Sequence, residues 1–159
     1  MPKLSTCLWF DGQAEEAARF YVSIFKNSKI TETTHYPDGV PMPKPAGSVL
    51  TVRFTIESEE FLALNGGPQY KFTPAISIVA NCDSQEEVDE LWRRLSDGGQ
   101  EVQCGWLTDR YGVSWQVVPR EFIEMLTRPD KAAVGRVIAA MMPMKKLDLV
   151  VLRKAYAGK

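Results

Sequence analysis

One order of segments occurs twice in this chain, and that repeat constrains its fold more than any other feature. "LSTCLWF" has strand-like composition and leads into "AEEAARFYVSIF". In the latter, Ala14, Ala17, Ala18, Tyr21, Ile24 and Phe25 recur at helical spacing, while Glu15, Glu16, Arg19 and Lys26 fall elsewhere, which predicts an amphipathic helix. Three more runs rich in β-formers follow, "KITETTHY", "SVLTVRFTI" and "EFLALN". The first two are separated by "PDGVPMPKPAG", whose prolines and glycines predict an irregular surface loop. The order then begins again. "PAISIVANC" reads as a buried strand, and "SQEEVDELWRRLSDGG" opens with Ser84 and Glu87 at capping-box spacing and stops at Gly98-Gly99. Its Val88, Leu91, Trp92 and Leu95 share one side, and "QEVQC", "GWLTD" and "VSWQVV" complete the unit, with "DRYG" as a tight turn.

The chain therefore reads as β-α-β-β-β twice, an α+β protein with modules at residues 3–65 and 74–119 of one domain spanning 1–159. From Arg120 the pattern turns helical through "REFIEMLTR", "PDKAAVGRVIAAMM" and "MKKLDLVVLRKAY". This predicts a helical C-terminal segment over 120–159, with Val134, Val137, Ile138 and Met141 as one packing stripe.

Composition narrows the function classes. Nineteen Lys and Arg against twenty Asp and Glu give a net charge of −1, so no basic surface is available for a phosphate backbone and no nucleic-acid partner is expected. Cys7, Cys82 and Cys104 are odd in number and form no CxxC pair, which argues against both a disulfide framework and a structural zinc site. No stretch approaches the roughly 18 apolar residues of a membrane span. A cytoplasmic protein without membrane association is the expectation.

"CLWFDGQAEEAARFYVSIFKNSKI", "LALNGGPQYKFTPAISIVANCDSQEEVDELWRRLSDGG", "CGWLTDRYGVSWQVVP" and "MPMKKLDL" together resemble the PhnB-like branch of the vicinal oxygen chelate superfamily, often labelled as a 3-demethylubiquinone-9 3-methyltransferase domain. The resemblance extends over nearly the whole chain. It implies paired βαβββ modules whose curved sheets enclose a cleft, and a homodimer as the usual assembly. The C-terminal helices would then either cover their own sheet or bridge subunits. In metal-using relatives the ligands come from the first, fourth, fifth and last strands, typically as His, Glu or Gln. The matching positions here are Thr6, Ala63, Ile76 or Ser77, and Gln116. A slip of one residue would exchange the two faces of a strand without supplying better ligands.

The chemistry of those positions speaks against a metal. A stable divalent site uses about three or four His, Asp, Glu or thiolate ligands. This chain has one histidine, His35, near the proline-rich loop, where a surface role is expected. The expected site is therefore metal-free and cofactor-free, and binds a small organic molecule through Thr6, Phe10, Asn65, Ser77, Trp106 and Gln116. Gln116 either offers a hydrogen-bonding amide to a ligand or satisfies a buried backbone group. Asn65, in "LNGG", reads both as a rim residue and as turn chemistry. Trp9, Phe10, Trp106 and Trp115 lie on or near strands bordering the cleft. By parity Thr6, Leu8 and Phe10 share one face, and if that face is the cleft, Cys7 lies behind it. No glycine-rich strand-loop-helix junction of the nucleotide-cofactor kind is present, so the methyltransferase label is not supported by the residues. Two classes remain: a binding protein without covalent chemistry, and a glyoxalase-like enzyme whose metal ligands lie elsewhere or on a second subunit.

Overall fold

A computed structural model describes residues 1–159. The chain forms two compact units, Met1–Phe72 and Thr73–Lys159. In the first, β1 (Thr6–Phe10), α1 (Ala14–Ile24), β2 (Ser28–His35), β3 (Val49–Ile56) and β4 (Glu59–Asn65) follow the expected order. The sheet order is β1-β4-β3-β2, with β1 parallel to β4 and the other pairs antiparallel.

The period-two pattern of β3 divides its side chains cleanly: Val52, Phe54 and Ile56 are buried, while Thr51, Arg53 and Thr55 are half-buried. Register carries the buried set across the sheet to Phe61 and Ala63 of β4 and Leu8 and Phe10 of β1. Helix α1 covers this side. Tyr21 stacks on Phe54 with centroids 6.0 Å apart, and Phe54 stacks on Phe61 at 5.3 Å. Each fully buried aromatic of this kind contributes roughly 2–3 kcal/mol by transfer from water. Ala14, Ala17 and Ala18 are fully buried, small enough to let the helix lie close to the strands.

The start of α1 is secured from a distance. Its N-cap residue, Gln13, makes no side-chain cap bond; the Ala14 amide instead donates to Asn65 Oδ1 at 2.9 Å. Asn65 Nδ2 donates to the Val49 carbonyl at 3.0 Å, and the Tyr36 hydroxyl donates to the Asn65 carbonyl. One buried amide thus joins helix, third strand and fourth strand, and the base of the proline-rich loop closes beside it through Tyr36 and Ser48.

The second unit repeats the plan with β5 (Ile78–Cys82), α2 (Gln85–Ser96), β6 (Gln100–Glu101), β7 (Trp106–Thr108) and β8 (Ser114–Pro119), in sheet order β5-β8-β7-β6. Ser84 caps α2 by accepting from the Glu87 amide at 3.1 Å, and Glu87 reaches back to the Asp83 amide at 2.7 Å. Val88, Leu91, Trp92 and Leu95 are buried together with Leu107, Trp115, Val117, Ala80 and Cys82, which marks the helix-covered side of this sheet.

The turn between β7 and β8 is built on Asp109. Its Oδ1 accepts from the Tyr111 and Val113 amides at 2.9 and 3.0 Å, and its Oδ2 accepts from Trp115 Nε1 at 2.8 Å. The carboxylate is buried, so these donors replace its water.

Three helices follow, α3 (Arg120–Thr127), α4 (Lys131–Met141) and α5 (Leu149–Ala157). Asp130 and Asp148 cap α4 and α5. Phe122, Met125, Val137, Leu147, Leu149 and Leu152 form a core with Val118 at the end of β8, so the segment packs on the unit that precedes it. The expected stripe on α4 is corrected by part of a turn. Ala133 and Val137 are buried, Val134 and Met141 are half-buried, and Ile138 faces solvent, because the helix is gripped from the side of α5.

Candidate functional site

Each sheet has a side that its helix leaves uncovered, and the placement of the expected site residues depends on which side they occupy. In the first unit the expectation is corrected by one residue. Phe10 is 3% exposed, sits under α1 and meets Phe72 edge-on at 5.3 Å. Ala63 is fully buried on the same side, and Thr6, paired with Phe61, belongs to that side too, exposed at the end of the strand. Asn65 is the buried cap described above, its amide engaged by Ala14 and Val49, and it lines a cavity on the helix side with Gly12, Glu15, Lys44 and Ser48. The reason is the hydrophobic set itself: Leu8, Phe10, Val52, Phe54 and Phe61 are the larger apolar group, and α1 buries them.

The uncovered side of the first sheet carries instead Cys7 and Trp9 of β1, Leu62 and Leu64 of β4, and Thr51 and Arg53 of β3. Cys7 is thus not behind the open face but on it. Although exposed, its thiol is pushed up from its ordinary value by desolvation against the strands, which disfavours the thiolate. Trp9 is held rigidly: its Nε1 donates to the Gly67 carbonyl at 2.9 Å, Tyr70 packs edge-on at 5.0 Å, and the ring lies against the backbone of Gly66. The "NGGP" motif, read from sequence as turn chemistry, provides this close approach. Arg53 Nη1 donates to Glu60 at 2.9 Å, and its Nε lies 3.8 Å from Glu32, so this cation is paired with carboxylates of the neighbouring strands.

In the second unit the expected residues come together. Gln116 lies opposite Trp106 on β7 and opposite Val79 on β5. All three occupy the uncovered side, and Gln116 Nε2 donates to Ser77 Oγ at 2.9 Å. Gln116, Trp106 and Ser77 are each half-buried, and the amide is held by the Ser77 hydroxyl while Trp106 is its cross-strand neighbour. Ile76, the alternative to Ser77, is 77% exposed and outside this contact. Trp115 faces the opposite way, under α2 and bonded to Asp109. His35 is exposed at the end of β2.

Nowhere do three or more His, Cys, Asp or Glu side chains gather around a common point. Around Gln116 the neighbours are an indole, a hydroxyl and an aliphatic chain, a donor set that does not fit a divalent ion. The strand-to-helix junctions, Asp11–Gln13 and Asp83–Ser84, hold a single glycine, Gly12, between them and present no glycine-rich cradle. Cys82 lies buried under α2; burial, with Glu87 and Asp83 nearby, pushes its thiol up to about 12, so it serves as packing. No helix is long and apolar enough to cross a membrane.

Two βαβββ units, each with its first strand parallel to its last, define a member of the vicinal oxygen chelate superfamily. Within it, the chain belongs to the 3-demethylubiquinone-9 3-methyltransferase family, the PhnB-like branch, whose model matches residues 2–118. It is similar to the PhnB protein from Bacillus cereus, with 34% identity over 74% of this chain and 99% of that one and a TM-score of 0.67. Protein PA1353 from Pseudomonas aeruginosa shares the fold at 24% identity, covering 75% of this chain and 98% of that one, with a TM-score of 0.58. No curated protein matches the chain. Helices α3–α5 lie beyond the family match.

Proposed function

We propose that this protein binds a small organic molecule on the uncovered face of its second sheet, without a metal ion. The observation that carries the reading is the Gln116–Ser77 hydrogen bond on the same side of the sheet as Trp106, which sets a restrained, half-buried amide beside an aromatic residue in the register. Such a pair suits a planar ring bearing a hydroxyl or amide donor: the ring lies on the indole and the donor reaches the amide oxygen. The contact with the Ser77 hydroxyl restrains the Gln116 side chain on this face and leaves it further hydrogen-bonding capacity for a ligand. The family name describes a methyl transfer, and the residues of this face supply neither a nucleotide-cofactor cradle nor a charged acid or base for one.

The test is a titration with para-hydroxyacetophenone, followed through the side-chain amide resonances of Gln116 and the indole resonance of Trp106. The wild-type resonances move together and saturate. Gln116→Ala weakens binding about tenfold, the value of one partly buried hydrogen bond, and Trp106→Ala abolishes it. Unchanged affinity in both variants, or a stoichiometric, tightly held divalent ion in the purified protein, refutes the reading.

A further inference from the structure

The turn that delivers Trp106 to this face is held from outside, by the segment beyond the family match. Cys104 and Gly105 are the central residues of a turn closed by the Trp106 amide on the Gln103 carbonyl at 3.1 Å, and their φ angles are 60° and 83°. Turns with two positive φ angles favour Asn-Gly or Gly-Gly, and a residue with a Cβ pays about 1 kcal/mol there. Gly105 is required, since a Cβ would come within 3.1 Å of both Leu147 Cγ and the Val117 carbonyl. Cys104 is not the residue such a turn prefers.

The C-terminal segment supplies what the turn lacks. The Cys104 and Gly105 amides donate to the Met144 and Lys145 carbonyls, both at 2.7 Å. These carbonyls belong to the strap between α4 and α5, and the strap is fastened to α2. Gln85 donates its Nε2 to the Leu147 carbonyl at 3.0 Å and accepts from the Leu149 amide at 2.8 Å, pairing with the strap as a neighbouring strand would. Lys146 meets Asp89 at 2.7 Å, and this contact with Lys146, with help from Gln85, holds the Asp89 carboxyl below its usual value. On its other side the Gly105 carbonyl accepts from the Val117 amide at 2.8 Å, next to Gln116.

We infer that Gln85 is a positioning residue: through residues 144–147 it holds the Cys104–Gly105 turn in the form that presents Trp106 and Gln116 side by side. The inference rests on the binding reading above for its functional meaning, but its test needs no ligand. In the full-length protein, Gln85→Ala speeds hydrogen exchange at the Cys104, Gly105 and Val117 amides about tenfold or more. It also shifts the Trp106 indole and Gln116 side-chain resonances, and leaves exchange at Ala80 and Val88 at the wild-type rate. Adding Cys104→Asn, which gives the turn its own preference for positive φ, returns the Trp106 and Gln116 resonances to their wild-type positions although the Gln85 bonds are still missing.

Uniform acceleration across the second unit means that Gln85 only stabilises, and overturns the inference. So do unchanged Trp106 and Gln116 signals in Gln85→Ala, or a double variant that stays shifted. Failure of para-hydroxyacetophenone to bind the wild type refutes the binding reading alone, because the exchange and resonance results stand without it.

Discussion

Replacing Gly66 by alanine tests whether the first unit's open face is organised around a fixed indole. A Cβ at position 66 would lie 2.3 Å from Trp9 Cζ2 and 2.4 Å from Cε2 and Cη2. Carbon atoms rest about 3.5–4 Å apart, so the overlap exceeds 1 Å. These are atoms of a rigid ring, and no flexible end can give way; the indole has to leave its place. It then loses the bond to the Gly67 carbonyl and the edge contact with Tyr70. The bond is worth about 1 kcal/mol, the ring pair about 0.5–1, and the displaced packing about 1–2 more, for a total near 3 kcal/mol. Gly66 is not among the residues with positive φ, so backbone strain adds nothing to this sum. Urea unfolding followed by far-ultraviolet circular dichroism measures the loss. The same substitution made in a Trp9→Ala background supplies the control and should cost under about 0.5 kcal/mol. A full penalty without the indole, or a Gly66→Ala protein as stable as wild type, refutes the argument.

Asp109→Asn keeps the shape of the side chain but turns an NH2 group toward one of the three donors that converge on it, so we expect a loss of about 2–3 kcal/mol in urea unfolding and a shift in Trp115 emission; wild-type stability would show that the turn does not depend on the charge. Cys82 gives a pH dependence whose sign follows from its raised value. The native state keeps the thiol proton up to about 12, while the unfolded chain releases it above its ordinary 9.0. Its contribution is therefore complete below the ordinary value and is lost as pH rises through the window up to the native one. The slope approaches about 1.4 kcal/mol per pH unit. Urea midpoints across that window should fall less steeply in Cys82→Ala, and equal slopes would count against a buried neutral thiol.

The double βαβββ order was legible because each helix announces itself through local signals. Ser84 and Glu87 mark the start of α2, and Gly98, with φ of 75°, marks its end. Alternation also separates the two sides of each strand, but it cannot say which side a helix will cover when both carry apolar residues. In β1 the sets Leu8 and Phe10, and Cys7 and Trp9, are nearly balanced in sequence; only the packing of Tyr21 on Phe54 decides between them. In the second unit Ser77 and Gln116 come from the family resemblance and not from alternation, and only the burial of Leu107 and Trp115 under α2 separates Trp106 from Trp115. Asn65 was ambiguous because its partners, Ala14 and Val49, lie 51 and 16 residues away, beyond the reach of any local motif. The role of Gly66 was hidden in the same way, since turn chemistry accounts for an Asn-Gly-Gly run before any packing is considered.

The long reach of Asn65 also governs when the first unit can form. Helix α1 has 11 residues, too few to persist alone in water, and its leading amide waits for a partner 51 positions downstream. Closing so large a loop costs entropy before any contact repays it. On a ribosome, the start of α1 therefore gains this cap only after residue 65 has emerged.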